Sequence, residues 1–599
     1  MTKECCEVVR RMEEVFEYES VLVADCGSTT TRAALIDLVA GEFRLVAAGE
    51  TATTVEAPWS RISIGVHEAI RQVEQLTGRM LLSGQGQLIV PEREDGSGVD
   101  ALVATVNAAV PLRVAVVGLI GGLSVESLLK ATDCSYVVVQ SVVARDGRTS
   151  NSEGESSMAA MVMDTMRNRP DAILLGGGTE GGAMEPVLEA ARDVAAALTA
   201  SEEAGRVHVI YAGNREARTD IARILGGCSN LHVVDNVRPT LEEEDLGAVE
   251  AELRNLYRED KMGRVPGFGE LKSWCSTPIV ATAEGLELVV RYLSRLYQLD
   301  VLAVDVGSAA THVCGVIGGR YGSTIRPQVG VGHGMGNVLE RVGVHRLLRW
   351  LPFEMETGQA QNHILNKALR PMTVPETMEG LLLEQAAARE AISLTLDRAR
   401  ERWLGSGIHS YKGQVPPVDL IVGRGAVLSG APLWGQAALI LLDAMQPTGV
   451  CALALDQASV LPQLGALASL HHLAAAQAVA RDGLLKLGTV IAPEGTGREG
   501  AVALKLKIEY DDGQSLKVEV PYGALEVVPL ATGKRAMVEM RPSPQFDVGL
   551  GKKGKGATTE LDGGVLGIIV DARGRPLSLP ADEEKRRAKI RDWMSELGV

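Results

Sequence analysis

The feature that most constrains the fold is an internal near-repeat. The segment VLVADCGSTTTRAALID at 21–37 aligns with VLAVDVGSAATHVCGVI at 301–317, an offset of 301 − 21 = 280 residues. In both copies an apolar run suited to a buried strand breaks at Asp-x-Gly-Ser and resumes as a second apolar run. This pattern predicts a β-hairpin whose turn is presented to a ligand, and the two copies predict a chain of duplicated halves.

Composition narrows the functions that such a chain can have. With 599 residues, 46% of them hydrophobic and 23% charged, the chain is typical of soluble globular proteins of several domains. A net charge of −16 and an aromatic content of 4% argue against binding to nucleic acid or to anionic membranes. The eight cysteines show no Cys-x-x-Cys spacing, and long uncharged apolar runs are missing, so we expect a cytoplasmic protein with reduced thiols and no membrane span.

Between and after the copies, the apolar periodicity predicts alternating strands and helices with a largely parallel sheet. Helices are predicted at 62–77, 123–132, 184–200 and 378–404, and strands at 80–84, 113–120, 136–143, 172–176, 207–213 and 231–237. From about residue 490 the pattern changes to short alternating strands, which predicts a small β domain. The predicted domains are a first half at 1–133, an inserted α/β subdomain at 134–240, a second half at 241–489 and a β-rich domain at 490–599.

The two hairpin turns carry residue types suited to phosphate and magnesium. Glycine allows a phosphate to approach the backbone, and the N–H groups and hydroxyls that follow can donate to phosphoryl oxygens. A single carboxylate can hold Mg²⁺ through water, a cation that keeps several waters. The predicted phosphate-binding residues are Gly27, Ser28, Thr29 and Thr30 in the first copy and Gly307, Ser308 and Thr311 in the second, with Asp25 and Asp305 as catalytic residues that hold Mg²⁺ through water.

A third glycine-rich turn completes an ordered series. The segment DLIVGRGA at 419–426 passes from a strand into a turn that contains Gly423 and Gly425. An isolated Asp-x-Gly-Ser is ordinary turn chemistry, but two copies on matching apolar frames followed by this turn favour a nucleotide site. We therefore predict that the two hairpins face each other and clamp the phosphates of ATP, with Gly423 and Gly425 beside the adenosine.

In this order the three turns resemble those of the actin, Hsp70 and sugar-kinase ATPase superfamily. Within it the chain is most similar to the MutL or GlmL family associated with adenosylcobalamin-dependent glutamate mutase, which is unrelated to the mismatch-repair protein of the same name. The narrower resemblance covers nearly the whole chain and is carried by four short segments: VADCGSTTTRAALID near the start, DAILLGGGTEGG at 171–182, TPIVATAEGLELVVRYL at 277–293 and GGVLGIIVDARGRPLSLP at 563–580.

The resemblance implies duplicated actin-like, ribonuclease H-like ATPase halves. It also implies an ATP-dependent accessory or reactivation factor for a cobalamin-dependent mutase subunit. Because no clear carboxylate stands near Ser83 and Gln85, we expect hydrolysis to be slow. Three alternatives stay open: a small-molecule kinase of the acetate- or sugar-kinase type, an activator of a dehydratase, and a nucleotide-dependent scaffold that forms filaments. A dehydratase activator needs a cysteine-held iron–sulfur cluster, which the unpaired cysteines disfavour.

Several further residues have two interpretations each. In the superfamily a polar residue after the third or fourth strand of the first half positions water, and Gln85, or Ser83, stands at that stage of the chain. The glycine-rich loop 176–182 is either a close-packing crossover or a second ligand or partner site. His333, between Gly332 and Gly334, belongs to a lid or a helix entry. Cys26 is expected to pack behind the first hairpin, and Lys552, Lys553 and Lys555 belong to a solvated loop or dock an acidic partner.

Overall fold

The computed structural model describes residues 18–146, 158–201, 205–404 and 415–599. These residues form two compact units. The first unit comprises residues 18–108, Val265–Val289 and Ala458–Leu484. The second comprises the described residues of Ala109–Arg264, Val290–Gln457 and Leu485–Val599. Each hairpin of the near-repeat therefore lies in its own unit.

The strands are numbered in chain order. They are β1 Ser20–Cys26, β2 Thr30–Val39, β3 Glu42–Ala52, β4 Ala101–Val106, β5 Leu112–Gly118, β6 Val137–Ala144, β7 Ala172–Gly176, β8 His208–Tyr211, β9 Asn230–Val233, β10 Val280–Ala281, β11 Val301–Val306, β12 Ala310–Ile317, β13 Arg320–Pro327, β14 Leu420–Arg424, β15 Gly449–Leu455, β16 Leu485–Ala492, β17 Val502–Tyr510, β18 Ser515–Pro521, β19 Leu525–Val528, β20 Arg535–Pro542, β21 Ala557–Asp562 and β22 Gly567–Asp571.

The α-helices are numbered in the same way. They are α1 Ile62–Thr77, α2 Glu126–Thr132, α3 Met158–Arg167, α4 Glu185–Ala200, α5 Arg218–Leu225, α6 Gly247–Leu256, α7 Phe268–Trp274, α8 Thr282–Tyr297, α9 Met335–Val342, α10 Val344–Leu348, α11 Thr357–Leu369, α12 Met378–Leu404, α13 Ala426–Ser429, α14 Trp434–Met445, α15 Leu461–Leu467, α16 His472–Ala478 and α17 Glu583–Glu596. In the part of the chain that the structure describes, no helix is both long enough and apolar enough to cross a bilayer.

Each unit contains a sheet of its own, and five strands follow the same order in both sheets. In the first unit the strand order is β3-β2-β1-β4-β10, with β1, β2 and β3 antiparallel and β4 parallel to both β1 and β10. In the second unit the order β13-β12-β11-β14-β15 repeats this arrangement with the same strand directions. Strands β1 and β11 are fully buried, as their unbroken apolar runs require. The repeated order confirms the predicted fold class of duplicated actin-like, ribonuclease H-like halves.

A separate parallel sheet lies in the second unit. Its order is β6-β5-β7-β8-β9, which is the doubly wound order in which the first strand in the chain lies second in the sheet. Four of its strands fall within the predicted insertion at 134–240, whereas β5 precedes residue 134. The helix α12 carries two arginines that form ion pairs with residues on either side of this insertion in the chain. Arg398 Nε is 2.7 Å from Asp133 Oδ2, and Arg402 Nη1 is 2.7 Å from Glu250 Oε1.

The carboxyl-terminal strands divide between two sheets. Strands β17, β18, β20 and β21 form an antiparallel sheet in the order β18-β17-β20-β21. Strands β19 and β22 instead join β16 and extend the main sheet of the second unit. The alternating short strands beyond residue 490 are therefore present, and two of them belong to the core of the second half. The predicted domain boundaries themselves stay a prediction.

The secondary structure follows the apolar pattern closely. Helices α1 and α12 begin and end at the predicted residues, and so does strand β7. The strand predicted at 80–84 is wrong, since this segment contains only an isolated bridge between Leu82 and Leu88. Ser83 N donates to Gln87 O there, which closes a turn in place of a sheet ladder.

Candidate functional site

The first hairpin turn is a tight loop closed by its own backbone. Gly27 N donates to Thr30 O at 2.8 Å, and a Cβ on Gly27 would lie 2.8 Å from the same oxygen. Thr53, which directly follows β3, stabilises the turn. Its Oγ1 donates to Gly27 O at 2.8 Å, and its N–H donates to Thr29 O at 2.8 Å. Glycine is therefore required at position 27, and Ser28, Thr29 and Thr30 stay half-buried at the surface of the turn.

Asp25 is held by two hydroxyl groups. Its Oδ1 accepts from Thr105 Oγ1 at 2.8 Å and from Thr282 Oγ1 at 2.7 Å. Thr105 lies on β4, beside Asp25 in the parallel register, and Thr282 opens α8. All three side chains are buried. The two hydroxyl donors orient this carboxylate at the edge of the turn.

Asn107 is the polar residue next to this turn that the sequence prediction missed. It directly follows β4, its N–H donates to Cys26 O at 3.0 Å, and its Oδ1 would lie 3.6 Å from a Cβ on Gly27. Among the described residues its buried Oδ1 has no hydrogen-bond partner. Gln85 lies elsewhere in the first unit, exposed in the turn at 83–87, with its N–H 3.3 Å from Ser83 Oγ. Asn107 can be identified by its position directly after β4, the strand that is parallel to β1.

The second hairpin turn repeats the backbone of the first. Gly307 N donates to Ala310 O at 2.9 Å, and a Cβ on Gly307 would lie 3.0 Å from that oxygen. A glycine-rich loop packs directly on it: Gly332 N and Gly334 N both donate to Ser308 O at 2.9 Å, and His333 N donates to Ser308 Oγ at 3.1 Å. Because a Cβ on Gly332 would lie 2.0 Å from Ser308 Oγ, this loop requires glycine. The loop leads into α9, as the helix-entry interpretation of His333 expects.

Asp305 is held by a cation. Strands β11 and β14 are parallel, and their register places Asp305 beside Arg424. Arg424 Nη1 donates to Asp305 Oδ2, and Arg424 Nε lies 3.2 Å from Asp456 Oδ2. The other carboxylate oxygen, Asp305 Oδ1, is buried and has no hydrogen-bond partner within the described ranges. Arg424 and Asp456 were not among the predicted site residues.

The glycines around Arg424 have two different roles. Gly425 has φ +106°, and a Cβ there would lie 2.1 Å from Val306 O, so only glycine allows this backbone approach. A Cβ on Gly423 would meet the side chains of Leu455, Leu441 and Leu428 at 3.0–3.2 Å. Gly423 therefore packs against the core, and Gly425 closes the turn against the end of β11.

A comparison with protein families now adds to this geometry. A family model described as MutL protein matches residues 21–482, a span that contains both hairpins and the turn at Arg424. The chain belongs to the MutL protein family. The match confirms the family resemblance that the sequence motifs predicted.

Individual relatives of this MutL family chain are distant. Protein MutL of Clostridium tetanomorphum is 23% identical over 402 residues, which cover 63% of this chain and 78% of that protein. Among solved structures, nucleotide-free acetone carboxylase is 11% identical and covers 85% of this chain and 81% of its own, with a TM-score of 0.31. A glycerol dehydratase reactivase is 10% identical and covers 76% of this chain and 100% of its own, with a TM-score of 0.29. The fold of the chain is defined by the strand order that its two units repeat.

Thr311 of the MutL family chain lies on the other face of the sheet from Asp305. It pairs with Val306 in the antiparallel register, and neighbouring residues along a strand point to opposite faces. Its side chain is fully buried, and its Oγ1 has no hydrogen-bond partner in the described part of the chain. The role of Thr311 as a phosphate ligand stays a prediction.

The residue types at each hairpin fit magnesium held through water, because one buried carboxylate lies beside each glycine turn. Over the residues that the structure describes, no group of three or more His, Cys, Asp or Glu side chains forms a metal site. Mg²⁺ does not need one, because it keeps several waters and takes few carboxylates beside phosphate oxygens. Asp305 Oδ1, an orphaned buried acceptor, is suited to a donor such as metal-bound water.

The remaining predicted features have mainly structural surroundings. In the loop 176–182, Asn236 Nδ2 donates to Gly178 O at 2.9 Å, and a Cβ on Gly213 would lie 2.6 Å from Gly177 O, which favours close packing. Cys26 is buried behind the first hairpin; burial, and then the Asp25 carboxylate, raise the pKa of its thiol. The side chains of Lys552, Lys553 and Lys555 are exposed in the loop before β21.

Proposed function

We propose that this MutL family chain is an ATP-dependent accessory or reactivation factor for an adenosylcobalamin-dependent mutase, and that it hydrolyses ATP slowly. The observation that carries the nucleotide part is the duplicated turn. Each half closes the same glycine turn at the end of a buried strand and places one carboxylate beside it. The mutase part rests on the family to which the chain belongs.

In this proposal the backbone of the turns binds phosphate. Gly27 and Gly307 allow phosphoryl oxygens to approach the N–H groups that follow, and the hydroxyls of Ser28, Thr29, Thr30 and Ser308 donate to them. Asp25 and Asp305 would hold magnesium through its waters, and magnesium would supply charge neutralisation for the phosphates. Phosphoryl transfer requires mainly positioning and charge neutralisation, so this set is sufficient for slow hydrolysis.

Asn107 is the residue that we propose to position the attacking water. Its Oδ1 is buried beside Gly27 without a partner among the described residues, so it can accept a hydrogen bond from a water at the turn. Gln85, the residue predicted from the sequence, is the matched comparison because it is also an amide in the first unit. We expect Asn107→Ala to lower ATP turnover about 10- to 100-fold with unchanged nucleotide affinity, and Gln85→Ala to leave both unchanged. The reverse result would assign the role to Gln85.

The test of the proposed function combines binding with capture of a partner. ATP binding is measured by calorimetry with magnesium, and the protein is purified from its source cell with and without a non-hydrolysable ATP analogue. We expect magnesium-dependent binding and a cobalamin-dependent mutase subunit whose recovery depends on the analogue. The absence of nucleotide binding would refute the proposal. A large rise in ADP production on addition of a sugar or a carboxylate would instead identify a small-molecule kinase.

A further inference from the structure

Arg424 lies between the turn of Gly423 and Gly425, which is predicted to lie beside the adenosine, and the carboxylate of Asp305 in the second hairpin. It is the last residue of β14, between Gly423 and Gly425. Because β14 is parallel to β11 with Arg424 beside Asp305, both side chains lie on the same face of the sheet. Arg424 is 5% exposed, Asp305 is 8% exposed and Asp456 is 0% exposed, so the three groups meet away from bulk water.

The contacts of Arg424 connect three neighbouring strands. Its Nη1 donates to Asp305 Oδ2 at the end of β11, and its Nε lies 3.2 Å from Asp456 Oδ2 just beyond β15. Asp456 is itself fixed, because its N–H donates to Gly423 O at 2.9 Å and its carbonyl oxygen accepts from Ser429 Oγ at 2.7 Å. One guanidinium thus spans two carboxylates at the carboxyl ends of the two strands that flank β14.

The pairing of Asp305 with Arg424 leaves one carboxylate oxygen as an acceptor for a ligand. Asp305 uses Oδ2 toward Arg424, and its buried Oδ1 has no hydrogen-bond partner within the described residues. His312, directly across the hairpin from Asp305, shares a hydrogen bond of 3.0 Å between its Nε2 and Ser323 Oγ.

We propose that Arg424 is a positioning residue for the metal–nucleotide complex. By holding Asp305 through Oδ2, it aims Oδ1 at the position of a magnesium-bound water. Because the same residue lies inside the Gly423–Gly425 turn, it also links the metal end of the ligand to the nucleoside end. This inference rests on the proposed nucleotide function and assigns to it a residue that the phosphate-binding turns do not include.

The geometry requires arginine and not merely a positive charge. The planar guanidinium reaches Asp305 with Nη1 and Asp456 with Nε at the same time, whereas a lysine ammonium is a single point on a flexible stem. The backbone that follows Arg424 is fixed by the glycine at 425, since a Cβ on Gly425 would lie 2.1 Å from Val306 O. Arg424→Lys therefore keeps the charge of the group and removes the fixed orientation of Asp305.

The experiment measures how much magnesium is needed for nucleotide binding. Binding of a fluorescent ATP analogue is titrated with magnesium for the wild-type protein and for Arg424→Lys, and the melting temperature is recorded for both. We expect Arg424→Lys to need about tenfold more magnesium for half-maximal binding, as is usual when the partner of a metal-holding group is lost. In the presence of EDTA, which removes magnesium, Arg424→Lys and the wild type should bind the ATP analogue equally.

A matched variant separates positioning from stability. Arg389 is another buried arginine of the second unit, and its Nε donates to Asp443 Oδ2 at 2.7 Å. Arg389→Lys should lower the melting temperature and leave the magnesium requirement unchanged. If Arg424→Lys behaves like Arg389→Lys, the residue is only structural and the inference is overturned. Asp456→Asn, which keeps the Arg424–Asp305 pair and weakens its anchor, should raise the magnesium requirement severalfold and serves if Arg424→Lys does not fold.

The link to the nucleoside end has its own measurement. In the wild-type protein, half-maximal binding of ATP should need less magnesium than half-maximal binding of tripolyphosphate, which lacks the adenosine. This difference should disappear in Arg424→Lys. A difference that persists in the variant would overturn the link. Wild-type protein that binds no nucleotide would refute the proposed function and this inference together, whereas normal wild-type binding with an unchanged variant refutes the inference alone.

Discussion

The two hairpins have the same backbone and different surroundings for their carboxylates. The turn hydrogen bond is 2.8 Å long at Gly27 and 2.9 Å long at Gly307, yet Asp25 accepts from two threonine hydroxyls and Asp305 is paired with Arg424. Duplication thus kept the glycine turn and changed the partners of the carboxylate beside it. The difference teaches that equivalent residues of a repeat need not have equivalent roles, because their partners come from other parts of the chain.

The largest expected effect comes from removing the cation of the second hairpin. Arg424→Met removes the cation that pairs with the buried Asp305, so we expect the free energy of unfolding to fall by about 3–5 kcal/mol. Urea denaturation of the full chain measures it. The double variant with Asp305→Asn should recover part of the loss, and a loss below about 1 kcal/mol would show that the ion pair is not important for folding.

The carboxylates themselves are expected to matter for the ligand more than for the fold. Asp25→Ala and Asp305→Ala should each weaken magnesium-dependent ATP binding about 10- to 100-fold while the protein stays folded. Calorimetry with and without magnesium measures binding, and circular dichroism checks the fold. Wild-type affinity in both variants would refute the assignment of the two turns.

The hydroxyls around Asp25 provide a comparison with Thr311 of the second hairpin. Thr282→Val removes a hydrogen bond to a buried carboxylate, and we expect it to cost about 1.5–3 kcal/mol of unfolding free energy. Thr311→Val is the control, because its buried Oγ1 has no partner among the described residues and its loss should be neutral or stabilising. Equal losses in the two variants would mean that the Thr282 bond contributes nothing specific.

The glycines of the two turns should differ slightly. A Cβ would lie 2.8 Å from Thr30 O at Gly27 and 3.0 Å from Ala310 O at Gly307. We expect Gly27→Ala to lower the free energy of unfolding by about 1–3 kcal/mol, because the backbone must shift, and Gly307→Ala by less. Gly84, where a Cβ meets open space, is the neutral control. A larger loss at Gly307 would contradict the comparison.

The smallest expected effect concerns Cys26, which stands where the second hairpin has Val306. Burial raises the pKa of the Cys26 thiol, so the thiolate that alkylating reagents attack is depleted in the folded protein. Site-resolved mass spectrometry after iodoacetamide treatment at pH 8 should find Cys26 unlabelled until the protein is unfolded. Rapid labelling in the native protein would indicate a reactive thiol and contradict this prediction.

The sequence by itself determined the local part of this protein. The near-repeat, the apolar frames of β1 and β11, the long helix α12 and the glycine turns were all predictable, because strand period, helix period and turn chemistry depend on neighbours a few residues apart. The same reasoning failed at 80–84, where an apolar run lacks a partner strand and forms only an isolated bridge.

Only the tertiary structure decided which groups surround the carboxylates. The partners of Asp25 are 80 and 257 residues away in the chain, and the arginine that holds Asp305 is 119 residues away. No local spacing encodes these pairs, since they arise when parallel strands and a helix start meet at one edge of a sheet. Asn107 and Asp456 were missed for the same reason: each is a single polar residue after an apolar strand, and its neighbour is set by the register between strands.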